Sequence, residues 1–207
     1  MQNLQSITGI SYLNTSKVTN MSYMFASCGS LTSLDVSSFN TNNVTSMEGM
    51  FASCGSLTSI DVSNFNTANV NYMLYMFASC ESLTTIYAGS GWSTTNVINS
   101  LAMFYDCTSL VGGMGTTYDE NYVDATRAHI DGGPSNPGYF TAKNAGLRGD
   151  VNGDGNVNIS DVTALINYLL SHNATGLNLQ NANCNQDSTI NISDVTALIN
   201  YLLSHSW

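Results

Sequence analysis

A 26-residue period is the feature that most restricts what this chain can fold into. Residues 14–39 read NTSKVTNMSYMFASCGSLTSLDVSSF, residues 40–65 read NTNNVTSMEGMFASCGSLTSIDVSNF, and residues 66–92 read NTANVNYMLYMFASCESLTTIYAGSGW. A weaker copy starts at Ser93, and a partial one precedes residue 14. Four rows of equivalent positions result: Val18, Val44, Val70, Val97; Met24, Met50, Met76, Met103; Phe25, Phe51, Phe77, Phe104; and Cys28, Cys54, Cys80, Cys107. No single unit can bury such an apolar set, whereas stacked units can. Within each unit a loose L-x-x-L-x-L-x-x-F-N pattern predicts a strand. There Leu34 and Val36 point inward and Asp35 points out. The spacing of Val44, Met47, Met50 and Phe51 predicts a short helical return. The expected fold class of the first part is therefore an α/β leucine-rich-repeat solenoid, with parallel strands, short helical returns and a right-handed course.

The fourth copy loses its strand at Gly112 and Gly113, and residues 112–142 hold both prolines, Pro134 and Pro137. This stretch is read as a C-terminal cap on a solenoid spanning 1–142. The row cysteines stack about 4.8 Å apart but point the same way. They are expected to be buried, reduced thiols rather than disulfides. His129 is read as a local hydrogen-bonding residue of the cap.

Residues 143–148 are taken as a linker, and a new pattern begins after them. Residues 150–161, DVNGDGNVNISD, place oxygen side chains at loop positions 1, 3, 5, 9 and 12 as Asp150, Asn152, Asp154, Asn158 and Asp161. Gly155 stands at the turn, and Asn156 offers its carbonyl. Wrapping such a loop is expected to press three carboxylates within a few Å, each close pair repelling by up to ~4 kcal/mol at an effective dielectric near 20. A hard divalent cation with six to eight oxygen ligands reverses that sign, and Ca²⁺ suits it better than Mg²⁺. A second loop, NCNQDSTINISD at 183–194, repeats the positions as Asn183, Asn185, Asp187, Thr189 (carbonyl), Asn191 and Asp194. It has two carboxylates, and Ser188 replaces the turn glycine, so a second, weaker Ca²⁺ site is expected.

Each loop leads into the identical string NISDVTALINYLLSH, at 158–172 and 191–205. The Asn is placed to cap a helix and the Asp to occupy its first turn. Val162, Leu165, Ile166 and Leu169, with their twins Val195, Leu198, Ile199 and Leu202, follow helical spacing, and Leu170 and Leu203 widen the stripe. Two helices this short need each other and the metal, so 149–207 is expected to be a small all-α calcium-binding module.

Two resemblances follow from these motifs. The stretch FNT-x-NVT-x-M-x-x-MF-x-x-C-x-SLTSLDVS, with DGGPSNPGYF at 131–140, resembles bacterial surface leucine-rich-repeat proteins of the BspA-like kind over about residues 4–142. That resemblance implies a secreted or cell-surface location and adhesion to proteins or cells. The duplicated loop-helix resembles a type I dockerin over about 149–207. It differs from an ordinary EF-hand in having Asp at position 12 and no incoming helix. It implies calcium dependence and a cohesin-like partner. Partner contacts are implied at Ile159, Ser160, Ile192 and Ser193 and on the exposed helix face, here Ile166, Asn167, Ile199 and Asn200. Since the strings are identical, either copy could dock after a half-turn.

Composition narrows the functions further. Four Lys plus Arg against fourteen Asp plus Glu give a net charge of −10. That balance excludes a nucleic-acid surface or a polybasic membrane patch. No apolar run reaches the ~18–20 residues of a transmembrane helix. Met1–Leu4 has neither a basic start nor an apolar run, so the expectation is a secreted protein whose leader has been trimmed. No nucleophile elbow or H-E-x-x-H motif is present, so no enzyme is expected. The expected function is non-catalytic: the solenoid presents Asp35, Asp61 and Tyr87 on its strand face to protein or glycan ligands, and the tail docks to a cohesin-type partner. The alternatives are the non-catalytic part of a larger secreted glycan-degrading enzyme, or a tail that acts as a structural end piece.

Overall fold

A computed structural model describes residues 4–143, 147–187 and 189–207, with Gln180 described in its backbone alone. The middle of the expected linker, Asn144–Gly146, and Ser188 of the second loop lie outside the described residues. The chain forms two compact units, Met1–Thr141 and Ala142–Trp207.

In the first unit, successive repeats lie on one another in parallel register. Bridges join Asn20 to Ser46, Ser46 to Tyr72, and Tyr72 to Asn99. On the opposite side, β1 (Ser59–Asp61) pairs in parallel with β2 (Thr85–Ala88), aligning Ile60 with Ile86 and Asp61 with Tyr87. A third strand, β3 (Phe140–Ala142), completes the order β1-β2-β3. Phe25, Phe51, Phe77 and Phe104 form an offset stack with centroids 5.9, 5.5 and 5.7 Å apart and nearly parallel planes. The Met and Val rows fill the space beside them. Offset stacking keeps the quadrupoles of the rings from opposing one another face to face, so one Phe per coil makes a continuous core.

The expected helical return is corrected by the structure. Among the described residues the first unit has no α-helix. Val44, Met47, Met50 and Phe51 are fully buried, as their spacing requires, but the backbone there is a chain of turns. Alternate amides of Met21, Tyr23, Phe25 and Ser27 donate to the carbonyls of Ser46, Glu48, Met50 and Ala52 in the next coil, and the two following coil junctions repeat this pattern. A residue with left-handed φ recurs at Tyr23, Gly49, Tyr75 and Ala102, and again at Ser27, Ser53, Ser79 and Asp106. This alternation turns donors toward the neighbouring coil instead of along a helix. Gly49 has a further need to be glycine, since a Cβ there would lie 2.4 Å from the Tyr23 ring.

The Asn-Thr pairs that open each repeat bind the coils to one another. The buried hydroxyls of Thr15, Thr41 and Thr67 donate to the carbonyls of Asn40, Asn66 and Ser93, and accept from the amides of the same residues. Side-chain amides of Asn43, Asn69 and Asn96 reach back one coil in the same way. Neutral amides and hydroxyls thus do work that charges cannot do in a repeat, where each ion would sit beside its own copy. The Cys54, Cys80 and Cys107 thiols donate to the carbonyls of Phe25, Phe51 and Phe77, and all five cysteines are free. Burial pushes the Cys54 thiol up to about 11 and the Cys107 thiol up to about 12.

The segment after the fourth copy covers the end of the aromatic stack. Tyr139 and Phe140 meet Phe104 edge-on, and Trp92 meets Phe140 at 4.9 Å while its Nε1 donates to Ala128 O. Asp131 organises this cap. Its buried carboxylate accepts from the Met114, Thr116, Gly133 and Gly138 amides and from the Thr116 hydroxyl. His129 Nδ1 lies 2.9 Å from the Ile130 carbonyl.

The second unit packs α1 (Ile159–Ser171) against α3 (Ile192–Ser204), with α2 (Leu179–Ala182) between them in sequence. Its core holds Val151, Val162, Leu165, Ala182, Cys184, Val195 and Leu198. Two expectations are corrected here. Leu170 and Leu203, expected to widen the buried stripe, are exposed together with Ile166 and Ile199, because α1 and α3 meet along the narrower Val162/Leu165 and Val195/Leu198 face. The second loop also has an entering helix, the single turn α2, whose Asn181 side chain donates to Asp150 O.

Candidate metal centre

Both oxygen-rich loops are built from the same local rules. In the first, Asp150 and Asp161 are wholly buried. Asp161 closes the loop: its two oxygens accept from the Asn152 amide at 3.0 Å and the Asn158 amide at 2.9 Å. It is simultaneously the third residue of α1 and half of a capping box with Asn158, whose side chain accepts from the Ser160 amide. Asp150 accepts from the Asp154 and Gly155 amides. Gly153 and Gly155 both take left-handed φ to make that turn. The structure therefore brings Asp150, Asn152, Asp154 and Asp161 to one loop interior or its rim, while the Asn158 side chain serves the helix cap. The Asn156 side chain leans on Asp154.

One electrostatic expectation is not met in full. Among the described residues no three His, Cys, Asp or Glu side chains converge closely enough to hold an ion by themselves. Asp154 is exposed, with one oxygen on the Asn156 amide and the other on the Asn152 side chain, and these two bonds hold its carboxyl below the usual range. The Asp150 carboxyl moves the other way. Burial raises it first, and the Asp161 and Asp154 charges add to that. The donor set is thus a buried pair of carboxylates plus a third at the rim, alternating with amide oxygens.

The second loop repeats the geometry. Asp194 accepts from the Asn185 and Asn191 amides and forms the matching capping box at the start of α3. Asp187 accepts from the Thr189 amide and the Asn185 side chain, and its carboxyl is held low by those bonds in that order. Thr189 also holds the Asn191 side chain. Asn183 occupies the position that Asp150 holds in the first loop. Its side-chain oxygen is buried and has no hydrogen-bond partner. Such an orphaned oxygen is uncommon in a folded protein and is the donor that a hard cation accepts. The residues present therefore fit an oxygen-coordinated divalent ion. Cys184, between two loop positions, is buried, and its thiol is pushed up to about 12 by burial and then by Asp194.

The positions expected to face a partner separate by exposure. Ile159, Ser160, Asn167, Ile192, Ser193 and Asn200 are exposed, as are Ile166 and Ile199. Leu170 and Leu203, which sequence reasoning assigned to the buried stripe, extend this surface by one helical turn. In the first unit Asp35 is exposed, whereas Asp61 and Tyr87 are half-buried. Asp35 and Asp61 each accept the amide two residues on, from Ser37 and Ser63, which is a turn-forming role. Sequence reasoning missed the Asn-Thr ladder, although its signal, a Thr at the same place in three repeats, was visible.

Coils stacked through aromatic and hydroxyl rows, followed by a duplicated loop-helix with a cation-type donor set, define a modular repeat protein with a terminal ion-loop module. Residues 1–117 match the family described as Mycoplasma protein of unknown function, DUF285, and the chain belongs to that family. Residues 148–203 match the type I dockerin domain. Comparison with the curated proteins and with the solved structures gives no match. No helix among the described residues is long and apolar enough to cross a membrane.

Proposed function

We propose that this is a non-catalytic extracellular interaction protein whose dockerin docks to a cohesin-type partner when calcium fills its loops. Both loops take Ca²⁺, the second more weakly because it offers two carboxylates where the first offers three. The observation that carries the docking reading is a pair of identical, solvent-facing apolar stripes. Ile159 and Leu170 on α1 are 69% and 79% exposed, and Ile192 and Leu203 on α3 are 70% and 80% exposed. Ile166 and Ile199 lie between them. A small unit gains nothing by leaving three large aliphatic side chains per helix in water unless a partner covers them. Calcium binds the start of each helix through Asp161 and Asp194 and so fixes the stripe that the partner reads. Because the stripes are duplicates, either can dock after a half-turn.

The first unit is read as a leucine-rich-repeat solenoid of the BspA-like kind that displays its strand face, including Asp35, Asp61 and Tyr87, to protein or glycan ligands. The register of β1 with β2 and the 26-residue recurrence support that reading. The test is surface plasmon resonance of the full chain over a panel of immobilised cohesins, in calcium and in EDTA. Binding in calcium alone is expected. Ile159→Asp or Ile192→Asp should each change affinity by less than about threefold, and the double substitution should abolish binding. Binding that persists in EDTA, or no binding to any cohesin, refutes the docking reading.

A further inference from the structure

The cap contains a cleft that neither the repeat ladder nor the docking module uses. It has a volume of about 700 Å³, within the range of about 300–1,000 Å³ typical of small-molecule sites. Thr117, Tyr118, Asp119, Glu120, Asn121 and Arg127 line it. Arg127 is the key group. Its guanidinium carbon stands 4.3 Å from the Tyr122 ring centroid and 5.7 Å from that of Tyr139, and it makes no side-chain hydrogen bond among the described residues. It is one of only four Lys and Arg residues in the chain. Opposite charge lines the same cleft. One oxygen of Asp119 takes both Asn121 hydrogen bonds, the other accepts no hydrogen bond among the described residues, the Arg127 charge acts on the carboxyl, and Glu120 is exposed.

We propose that this cleft binds a neutral polyhydroxylated ligand, a saccharide with adjacent free hydroxyls, held between Arg127 and the Asp119/Glu120 carboxylates. The charge pattern disfavours simple anions and simple cations. An anion meets two carboxylates on a chain of net charge −10, and a cation meets Arg127. A hydroxyl both accepts and donates at one atom, so a single diol can take a guanidinium N–H and give its own proton to a carboxylate. Hydrogen bonds to charged partners are the strong ones, which suits a shallow, polar site. The ring of Tyr118 supplies an apolar wall. This site is separate from the strand-face positions, and its success or failure is independent of cohesin docking.

The experiment is saturation-transfer NMR and calorimetry on the full chain in calcium. The probes are cellotetraose, mannotetraose and xylotetraose, with tetragalacturonate as the anionic control and tetralysine as the cationic one. At least one neutral tetraose should bind, Arg127→Met should weaken it about tenfold or more, and Glu120→Gln should weaken it severalfold. Glu120 is exposed, so that second variant tests the site without threatening the fold, and near-UV circular dichroism verifies this. The proposal is overturned if no neutral tetraose binds, if a charged probe binds more tightly, or if both substitutions leave binding unchanged.

Discussion

Replacing Asp131 with Ala removes one carboxylate that accepts five hydrogen bonds at 2.7–3.3 Å. The Met114 amide and both Thr116 donors lie on a partly exposed segment and can turn to water. The Gly133 and Gly138 amides are buried and cannot. Each buried orphan costs about 1–3 kcal/mol, and the lost charge-assisted bonds on the exposed side add about 1 kcal/mol more. The total is roughly 3–7 kcal/mol, a large part of the ~5–15 kcal/mol that holds a typical domain together. The Gly112 backbone already packs so close to Gly138 that a Cβ there would lie 2.2 Å from Gly138 O, which limits how far the segment can shift to fill the gap. The pH dependence has a definite sign. Burial by itself would raise this carboxyl, but the Thr116, Gly133 and Gly138 donors outweigh it and hold it below the usual range. The stabilisation is therefore complete above about pH 4, the unfolded value, and is lost as pH falls through the lower folded one. The chain provides its own assay. Trp92 reports the first unit and Trp207, stacked on Tyr201 and Arg148, reports the second. With Trp207→Phe as background, urea unfolding followed by Trp92 fluorescence should show the Asp131→Ala midpoint displaced to lower urea at unchanged slope. A loss under 1 kcal/mol, or equal losses at pH 7 and pH 2.5, would refute the reasoning.

Other perturbations test the ladders and the loops. Phe77→Ala, in mid-stack with Phe51 and Phe104 on either side, should cost about 3–5 kcal/mol by the same urea assay, and Phe25→Ala at the open end should cost less. Gly49→Ala puts a Cβ into the Tyr23 ring at a left-handed φ and should lower the first unit's melting temperature in differential scanning calorimetry. In native protein the five buried thiols should resist a thiol-specific disulfide reagent at pH 8 and all react after denaturation, since burial keeps the reagent from all five and also keeps Cys54, Cys107 and Cys184 protonated. Asp161→Ala should abolish calcium binding in the first loop by calorimetry and leave the second loop's heat in place.

Much of the architecture could be read from the chain because a repeat writes its core out several times. The Phe and Cys rows are buried as their recurrence required, the Val and Met rows are buried except at the half-buried Val18, Met24 and Val97, and the two Asn caps stand where the NISD strings placed them. The return between strands was misread because spacings of three and four identify which side chains share a face, not which backbone carries them. Met47, Met50 and Phe51 share a buried face, but the Met47 and Phe51 amides bond to the next coil, and a neighbour about 26 residues away does not register in local periodicity. The α1 and α3 stripes show the converse limit. Ile166 and Leu170 have the same hydrophobicity as Leu165, and only the crossing of the two helices decides which of them water reaches. The cap cleft was invisible for a related reason: Asp119 and Arg127 come together through a loop that obeys no period.

The central claim is that calcium assembles the terminal module, and circular dichroism at 222 nm during a calcium titration of chelator-stripped protein tests it most directly. Nearly all helix among the described residues lies in α1 and α3, thirteen residues each, so the signal belongs almost entirely to that module. The account predicts that helical ellipticity is lost in EDTA and returns with calcium in two steps, the tighter abolished by Asp161→Ala and the weaker by Asp194→Ala. Full ellipticity in EDTA, with no saturable response to added calcium, would contradict it.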